Sequence, residues 1–342
     1  MAQNLRNEAS KFPMFAFMGR IPGGMMLIPL ALGIAFGNLA PDALAIGGFT
    51  TALFRDGTLT LIAVLIVATG AQITGSHSGK GAAGTTLVVL LAKTLVPITL
   101  AVVLGLTVGI DGILGVSVLA LITIFGNSNG ALWLAFAGQY GDERDRGAYV
   151  ASAFDDGPFL ALIFLGASGL GAIPIVAIVA AVVPFIIGLI IGALDKEWTK
   201  VLTTAGAITI PFMSFCVGTG ISLSEVLSGG LAGIVLGVMV VVITGGLTYL
   251  GYRFILRRGN QSGIGFAAGT TAGNAVAVPA VVAAADSTFA PFVGAASAQA
   301  AAAVLVTALL APLTAAFVMK AQGGLKSEVV VTGSIKTSTA SD

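Results

Sequence analysis

Uninterrupted apolar runs of about twenty residues recur along nearly the whole chain. The stretch from Ile173 to Leu194, for example, holds no charged side chain. A segment of that length is what a helix needs to cross the ~30 Å of bilayer hydrocarbon. At that depth every backbone N–H and C=O must find a partner within the protein, which leaves only helices and closed barrels. The alternating segments of about ten residues that build a membrane barrel are absent. An all-α, polytopic membrane protein is therefore expected. Charge agrees, since only 9% of the 342 residues are charged, against about 25% in a soluble domain.

Ten spans can be drawn, at 22–40, 57–75, 84–107, 112–140, 148–168, 173–193, 202–219, 229–252, 263–285 and 290–318. With the first twenty residues and the even-numbered connections on one face, that face holds every basic residue except Arg55 and the intramembrane Lys93. The positive-inside rule then puts both termini in the cytoplasm of a bacterial inner membrane. Residues 1–20 carry no cleavable apolar core and read as a cytoplasmic tail. Residues 321–342, polar and rich in Ser and Thr, read as a disordered one. A single cysteine, Cys216, excludes an internal disulfide, and a single histidine, His77, excludes a multi-histidine metal site, so no cofactor or metal is expected. A net charge of +1 argues against a nucleic-acid partner.

Two short polar, glycine-rich breaks interrupt the apolar pattern. They are Gly126-Asn127-Ser128-Asn129-Gly130 in the fourth span and Gly269-Thr270-Thr271-Ala272-Gly273-Asn274 in the ninth. Irregular backbone at this depth is tolerated where it lines a cavity or is buried in protein. Breaks at corresponding places in two halves point to a transporter's binding site. The halves, 21–170 and 171–320, match weakly: Gly70–Ser76 reads against Gly218–Ser224, Asn129 against Asn274, and Asp156 against Gln299. Five spans per half is an odd number, so the halves would insert with opposite polarity as inverted repeats.

Beginning at Ile21-Pro22-Gly23-Gly24-Met25-Met26-Leu27-Ile28-Pro29-Leu30, the sequence resembles the bacterial 2-keto-3-deoxygluconate permeases. The likeness runs from about residue 20 to 320 through Asn127-Ser128-Asn129-Gly130-Ala131-Leu132, Gln139-Tyr140-Gly141, Gly157-Pro158-Phe159, Ile210-Pro211-Phe212 and Ala272-Gly273-Asn274-Ala275. The resemblance implies a proton-coupled importer of a sugar-acid anion. It also implies the bile-acid symporter and sodium/proton antiporter type of fold, with two broken helices crossing at the membrane midplane. Asp155-Asp156 departs from the Glu-Ser expected before Gly-Pro in that family, which leaves the coupling chemistry open.

Asp155 and Asp156 form the one acidic pair within an apolar span. A mid-bilayer Asp costs roughly 3 kcal/mol on insertion scales, and helical neighbours lie about 100° apart, so one could face a cavity while its neighbour faces another span. The alternative is a helix end near the membrane edge. Lys93 would either pair with one of these carboxylates or snorkel to the interface. Asn127, Ser128, Asn129, Thr270, Thr271 and Asn274 offer neutral donors and acceptors for the substrate. Half-helices starting after the breaks aim positive dipole ends at an anion. Gln72 and Gln299 are further candidates for hydroxyl contacts. Three readings compete: a proton symporter for a sugar acid, a cation/proton antiporter of the same fold, and an intramembrane enzyme. No nucleophile–base constellation supports the enzyme, and no nucleotide-binding loop supplies ATP.

Overall fold

The computed structural model describes residues 13–20, 24–75, 82–221 and 223–324. The expected N-terminal tail before Pro13, the loop with His77 and Lys80, and the residues from 325 onward lie outside them. The described chain is helical, with α1 Met14–Arg20, α2 Gly24–Leu39, α3 Gly48–Phe54 and α4 Thr58–Gly75. Next come α5 Ala82–Val108, α6 Val118–Phe125, α7 Gly130–Tyr140, α8 Glu143–Gly147, α9 Tyr149–Phe154 and α10 Phe159–Ser168. The rest comprises α11 Ile175–Leu194, α12 Lys196–Thr219, α13 Gly229–Ile255, α14 Val278–Ala285 and α15 Val293–Ala321. Among the described residues, six helices are long and apolar enough to cross a bilayer, or eight if two bent pairs each count as one span.

Several boundaries differ from those expected, each for a local reason. The fifth span, read as one helix over 148–168, is bent by 59° where Asp155–Pro158 unwinds between α9 and α10. Pro158 lacks a donor, and Gly157 sits at φ +142°, a region that favours glycine. Residues 109–117 do not extend the fourth span but turn back on themselves, with Ile113 and Val116 bonded to each other. The ninth span enters as a tight 3-10 turn from Gly259 to Ala268 rather than as an α-helix. Its glycines lie against neighbouring backbone: a Cβ on Gly265 would sit 2.6 Å from the Tyr249 nitrogen. Gln322 and Gly324, expected in the disordered tail, are held by bonds to Tyr249 and Met319.

The helices form two packed groups. α2 lies along α12 and α4 along α11, while α12 also contacts α4. Each close approach is made by facing glycines. A Cβ on Gly33 would lie 2.1 Å from the Phe215 carbonyl, and one on Gly218 would lie 2.3 Å from that of Leu30. Gly70 and Gly188 meet in the same way, against Phe185 and Val67. Without a hydrophobic drive between helices in lipid, close packing of small residues supplies the association. The second group gathers the broken elements around α15, a helix of 29 residues and hence about 43 Å long.

Hydrogen bonds between connections define the two ends of this bundle. At the first face, Asp142, Asp145 and Arg258 tie the α7–α8 connection to the turn after α13, and the end of α15 joins Asn260. At the second face, Asp286 accepts from the Ala172 nitrogen, Gln299 donates to Gly115, and Asn38 bonds Ile221 and Leu223.

The first-face cluster is the larger. Arg258 donates to Asp142 at 2.8 Å and also to Asp145, whose side chain is fully buried. Tyr252 donates to the other Asp145 oxygen, and the Trp133 indole donates to the Asp145 carbonyl. Burial disfavours the charge on Asp142, but Arg258 and Arg144 outweigh it and hold its carboxyl well below the usual range. Removing one partner of a buried pair costs about 3–5 kcal/mol, so Arg258→Gln is expected to lower the melting temperature sharply in detergent. The Asp142 contribution has the sign of a depressed acid: it is complete above the ordinary value of 3.8 and lost as pH falls below it. The melting difference between wild type and Asp142→Asn should therefore shrink on acidification through that value. A difference independent of pH would contradict the assignment.

Candidate functional site

The two breaks meet and satisfy each other's backbone. α6 stops at Phe125 and α7 restarts at Gly130, where the Asn129 side chain caps the new helix by accepting from Leu132. The Asn129 nitrogen donates to the Thr270 hydroxyl at 2.9 Å, and the Ala272 nitrogen donates to the Asn127 carbonyl at 3.2 Å. Thr271 donates to the Ile124 carbonyl at 3.0 Å, while its own nitrogen donates to Thr307 on α15. Groups that would each cost several kcal/mol if left bare in hydrocarbon are thus paired across the crossing.

Charges complete the first break. Lys93, fully buried on α5, lies in a widened turn over Leu90–Leu95 and donates to the Phe125 carbonyl at 2.7 Å. Its ammonium faces the carbonyl end of α6, where the helix dipole favours a cation. Asp155 accepts from the Ser128 nitrogen at 3.0 Å and from the hydroxyls of Ser128 and Thr94, both at 2.5 Å. Lys93 and Asp155 act on each other electrostatically, but among the described residues Lys93 makes no direct ion pair with either aspartate. Asn127 is also committed, donating to Thr123 and accepting from the Gly157 nitrogen at 3.1 Å.

Asp156 is held less completely, by the Asn274 side chain. Its Oδ1 is buried yet has no hydrogen-bond partner among the described residues, and the same holds for Asn274 Oδ1 and Ser152 Oγ. All three residues line one cavity of about 370 Å³, together with Gln72, Ser128, Asn129 and Tyr149. That volume lies in the range of small-molecule sites. Its walls come from both helix groups: α2, α4 and α12 on one side, the two breaks and α9 on the other. The N-terminal ends of α7 and of the turn beginning at Gly273 open onto it.

The expected residues therefore divide. Ser128, Asn129, Asn274, Gln72 and Asp156 line the cavity. Asn127, Thr270 and Thr271 hold the crossing together, and Lys93 and Asp155 lie beneath it. Gln299 does not reach the cavity; it bonds Gly115 near the second face. Tyr149, Ser152 and Thr69 are added, and Tyr149 donates to the Gln72 side chain at 3.0 Å. Spacing held a signal for two of them, because positions 149, 152 and 156 recur at helical intervals and would share one face.

If Lys93 and Asp155 balance each other inside the break, removing one charge should cost more than removing both. Lys93→Met alone is expected to lower the yield of monodisperse protein and its melting temperature. Lys93→Met combined with Asp155→Asn should recover much of the loss. A double variant no better than the sum of the singles would show that the charges act separately.

Comparison with known proteins adds a family. The profile described as 2-keto-3-deoxygluconate permease matches residues 15–324. The chain is 42% identical over 305 residues to 2-keto-3-deoxygluconate permease 1 of Salmonella typhimurium, covering 89% of this chain and 94% of the relative. It is 39% identical to the 2-keto-3-deoxygluconate permease of Bacillus subtilis, covering 89% and 93%. It is 36% identical to that of Enterobacter sp., covering 91% and 94%.

Proposed function

This chain belongs to the 2-keto-3-deoxygluconate permease family, and from that premise we propose that it imports 2-keto-3-deoxygluconate, or a close sugar acid, together with protons. The observation that carries the reading is Asp156: a carboxyl on the cavity wall with a buried oxygen that no group among the described residues satisfies. Asp155, its neighbour, already accepts three hydrogen bonds. Helix N-termini at the same cavity attract a substrate carboxylate without an arginine. An ionised Asp156 would repel that carboxylate, so occupancy by the anion favours the protonated acid. Binding of the two is thereby linked.

Energetics give this linkage a purpose. An anion entering against an inside-negative potential meets about 2.3 kcal/mol per charge per 100 mV. One proton per anion cancels that opposition and adds the pH gradient to the drive.

The architecture we propose is ten spans in two inverted five-helix repeats, with both termini in the cytoplasm of the inner membrane. Packing supports it beyond the basic-residue asymmetry. Pro29, Gly33 and Gly37 on α2 share their spacing with Pro184, Gly188 and Gly192 on α11, and Gly33 and Gly188 make corresponding close contacts. Alternating access would then move the broken group against the layer of α2, α4, α11 and α12, about a cavity that both line.

The test is transport in proteoliposomes. Asp156→Asn mimics the protonated acid, so it should exchange labelled 2-keto-3-deoxygluconate across the membrane but fail to accumulate it in response to a pH gradient. Asp155→Asn should instead lose folded protein. Asn274→Leu should weaken substrate binding by about an order of magnitude, from a lost hydrogen bond of ~1–2 kcal/mol. Accumulation retained by Asp156→Asn would sink the proton assignment. Cation-dependent proton release without sugar acid would instead make the protein an antiporter.

A further inference from the structure

Asp156 borders a second space as well as the polar cavity. A gap of about 10 Å³ is lined by Asp156, Asn274 and Thr69 on one side and by aliphatic side chains, Ile62 and Ile66 among them, on the other. Beyond it lies a vestibule of about 260 Å³ walled by α4, α10, α11 and α14. Thr69, Asp156 and Asn274 line both the gap and the cavity. Ile62, Ile66 and Val281 line both the gap and the vestibule.

The two larger spaces open towards opposite faces. Cavity residues Met25 and Thr203 lie near the starts of α2 and α12, and Gln72 near the end of α4, all towards the first face. Vestibule residues Leu59 and Ala177 lie near the starts of α4 and α11, and Ala285 at the end of α14, towards the second face. The carboxyl thus stands at the junction. The gap has room for about one water molecule, and one water donating to Asp156 and Asn274 would satisfy both of their unpartnered oxygens. Ile62 and Ile66 are both buried, at 6% and 7% exposure, in a single aliphatic layer between that position and the vestibule.

We infer that the gap is the proton entrance to Asp156 from the second face, and that Ile62 and Ile66 are its seal. The inference rests on Asp156 as the proton-binding group. A carboxyl reachable by water from both faces at once would let protons run down their gradient without substrate. The aliphatic layer prevents this while the cavity is open to the first face. Other titratable groups near Asp156 are Asp155, turned to Ser128 and Thr94, and Tyr149, turned to Gln72. None besides Asp156 lines the gap or the vestibule.

The experiment measures proton flux into proteoliposomes carrying an internal pH dye, with no sugar acid present. Ile62→Ala with Ile66→Ala should raise the flux several-fold over wild type, and adding Asp156→Asn should return it to the wild-type level. Tight vesicles from the double alanine variant, with substrate exchange intact, would overturn the seal. A leak that survives Asp156→Asn would overturn the route. A labelling measurement serves if the alanine variant does not fold: in a Cys216→Ala background, Ala63→Cys should react with a membrane-impermeant thiol reagent only from the second face. Labelling from the first face alone would contradict the vestibule. Failure of the underlying reading shows elsewhere, as pH-driven accumulation retained by Asp156→Asn alone.

Discussion

A helix interrupted inside hydrocarbon exposes backbone N–H and C=O groups that water cannot reach, and each must be satisfied by protein. Here the two interruptions answer each other. Asn129 donates to Thr270, Ala272 donates to Asn127, and Thr271 donates to Ile124. The crossing is therefore a joint rather than two separate kinks. Its position determines where α7 begins and where the turn at Gly273 begins. Because those two ends open onto one cavity, the bonds that satisfy the backbone also place the positive helix ends beside it.

Much of this was legible in the residues. Gly and Asn flanked by long apolar runs mark breaks because glycine and asparagine accept irregular backbone at little cost. The helical stretches follow from apolar length. What the residues do not carry is of another kind. Asp155-Asp156-Gly157-Pro158 reads as a charge pair, although Gly-Pro is itself a breaker signal, and the bend there is what separates the two carboxyls. The roles of Asn127 and Gln299 depend on which distant carbonyl or nitrogen each one meets, Gly157 in one case and Gly115 in the other. No local pattern carries that information. The glycine contacts between α2 and α12, and between α4 and α11, likewise become visible only once the partners are known.

The two breaks solve the same backbone problem by different means. In the first, Lys93 faces the carbonyl end of α6 and Asp155 receives the Ser128 nitrogen. In the second, no charged side chain among the described residues bonds the backbone. Gly269 instead packs directly on α13, where a Cβ would lie 2.9 Å from the Gly245 Cα, and Thr307 accepts from the Thr271 nitrogen. α5 and α13 each carry a widened helical turn near this contact, at Leu90–Leu95 and Val240–Gly245. The turn brings Lys93 inward at the first break and bare backbone inward at the second.

On the proposed function, that asymmetry bears on coupling through chain connectivity. Asp156 directly follows Asp155, whose carboxylate is fixed to Ser128 and Thr94. It directly precedes Gly157, whose nitrogen is held by Asn127. The backbone on both sides of Asp156 is thus anchored to the first break, while its own Oδ1 has no partner among the described residues. A carboxyl that must take up and release a proton needs a fixed position and an uncommitted oxygen. The bonds made by Asp155 and Asn127 supply the first requirement, and the Asp156 Oδ1 stays outside that network.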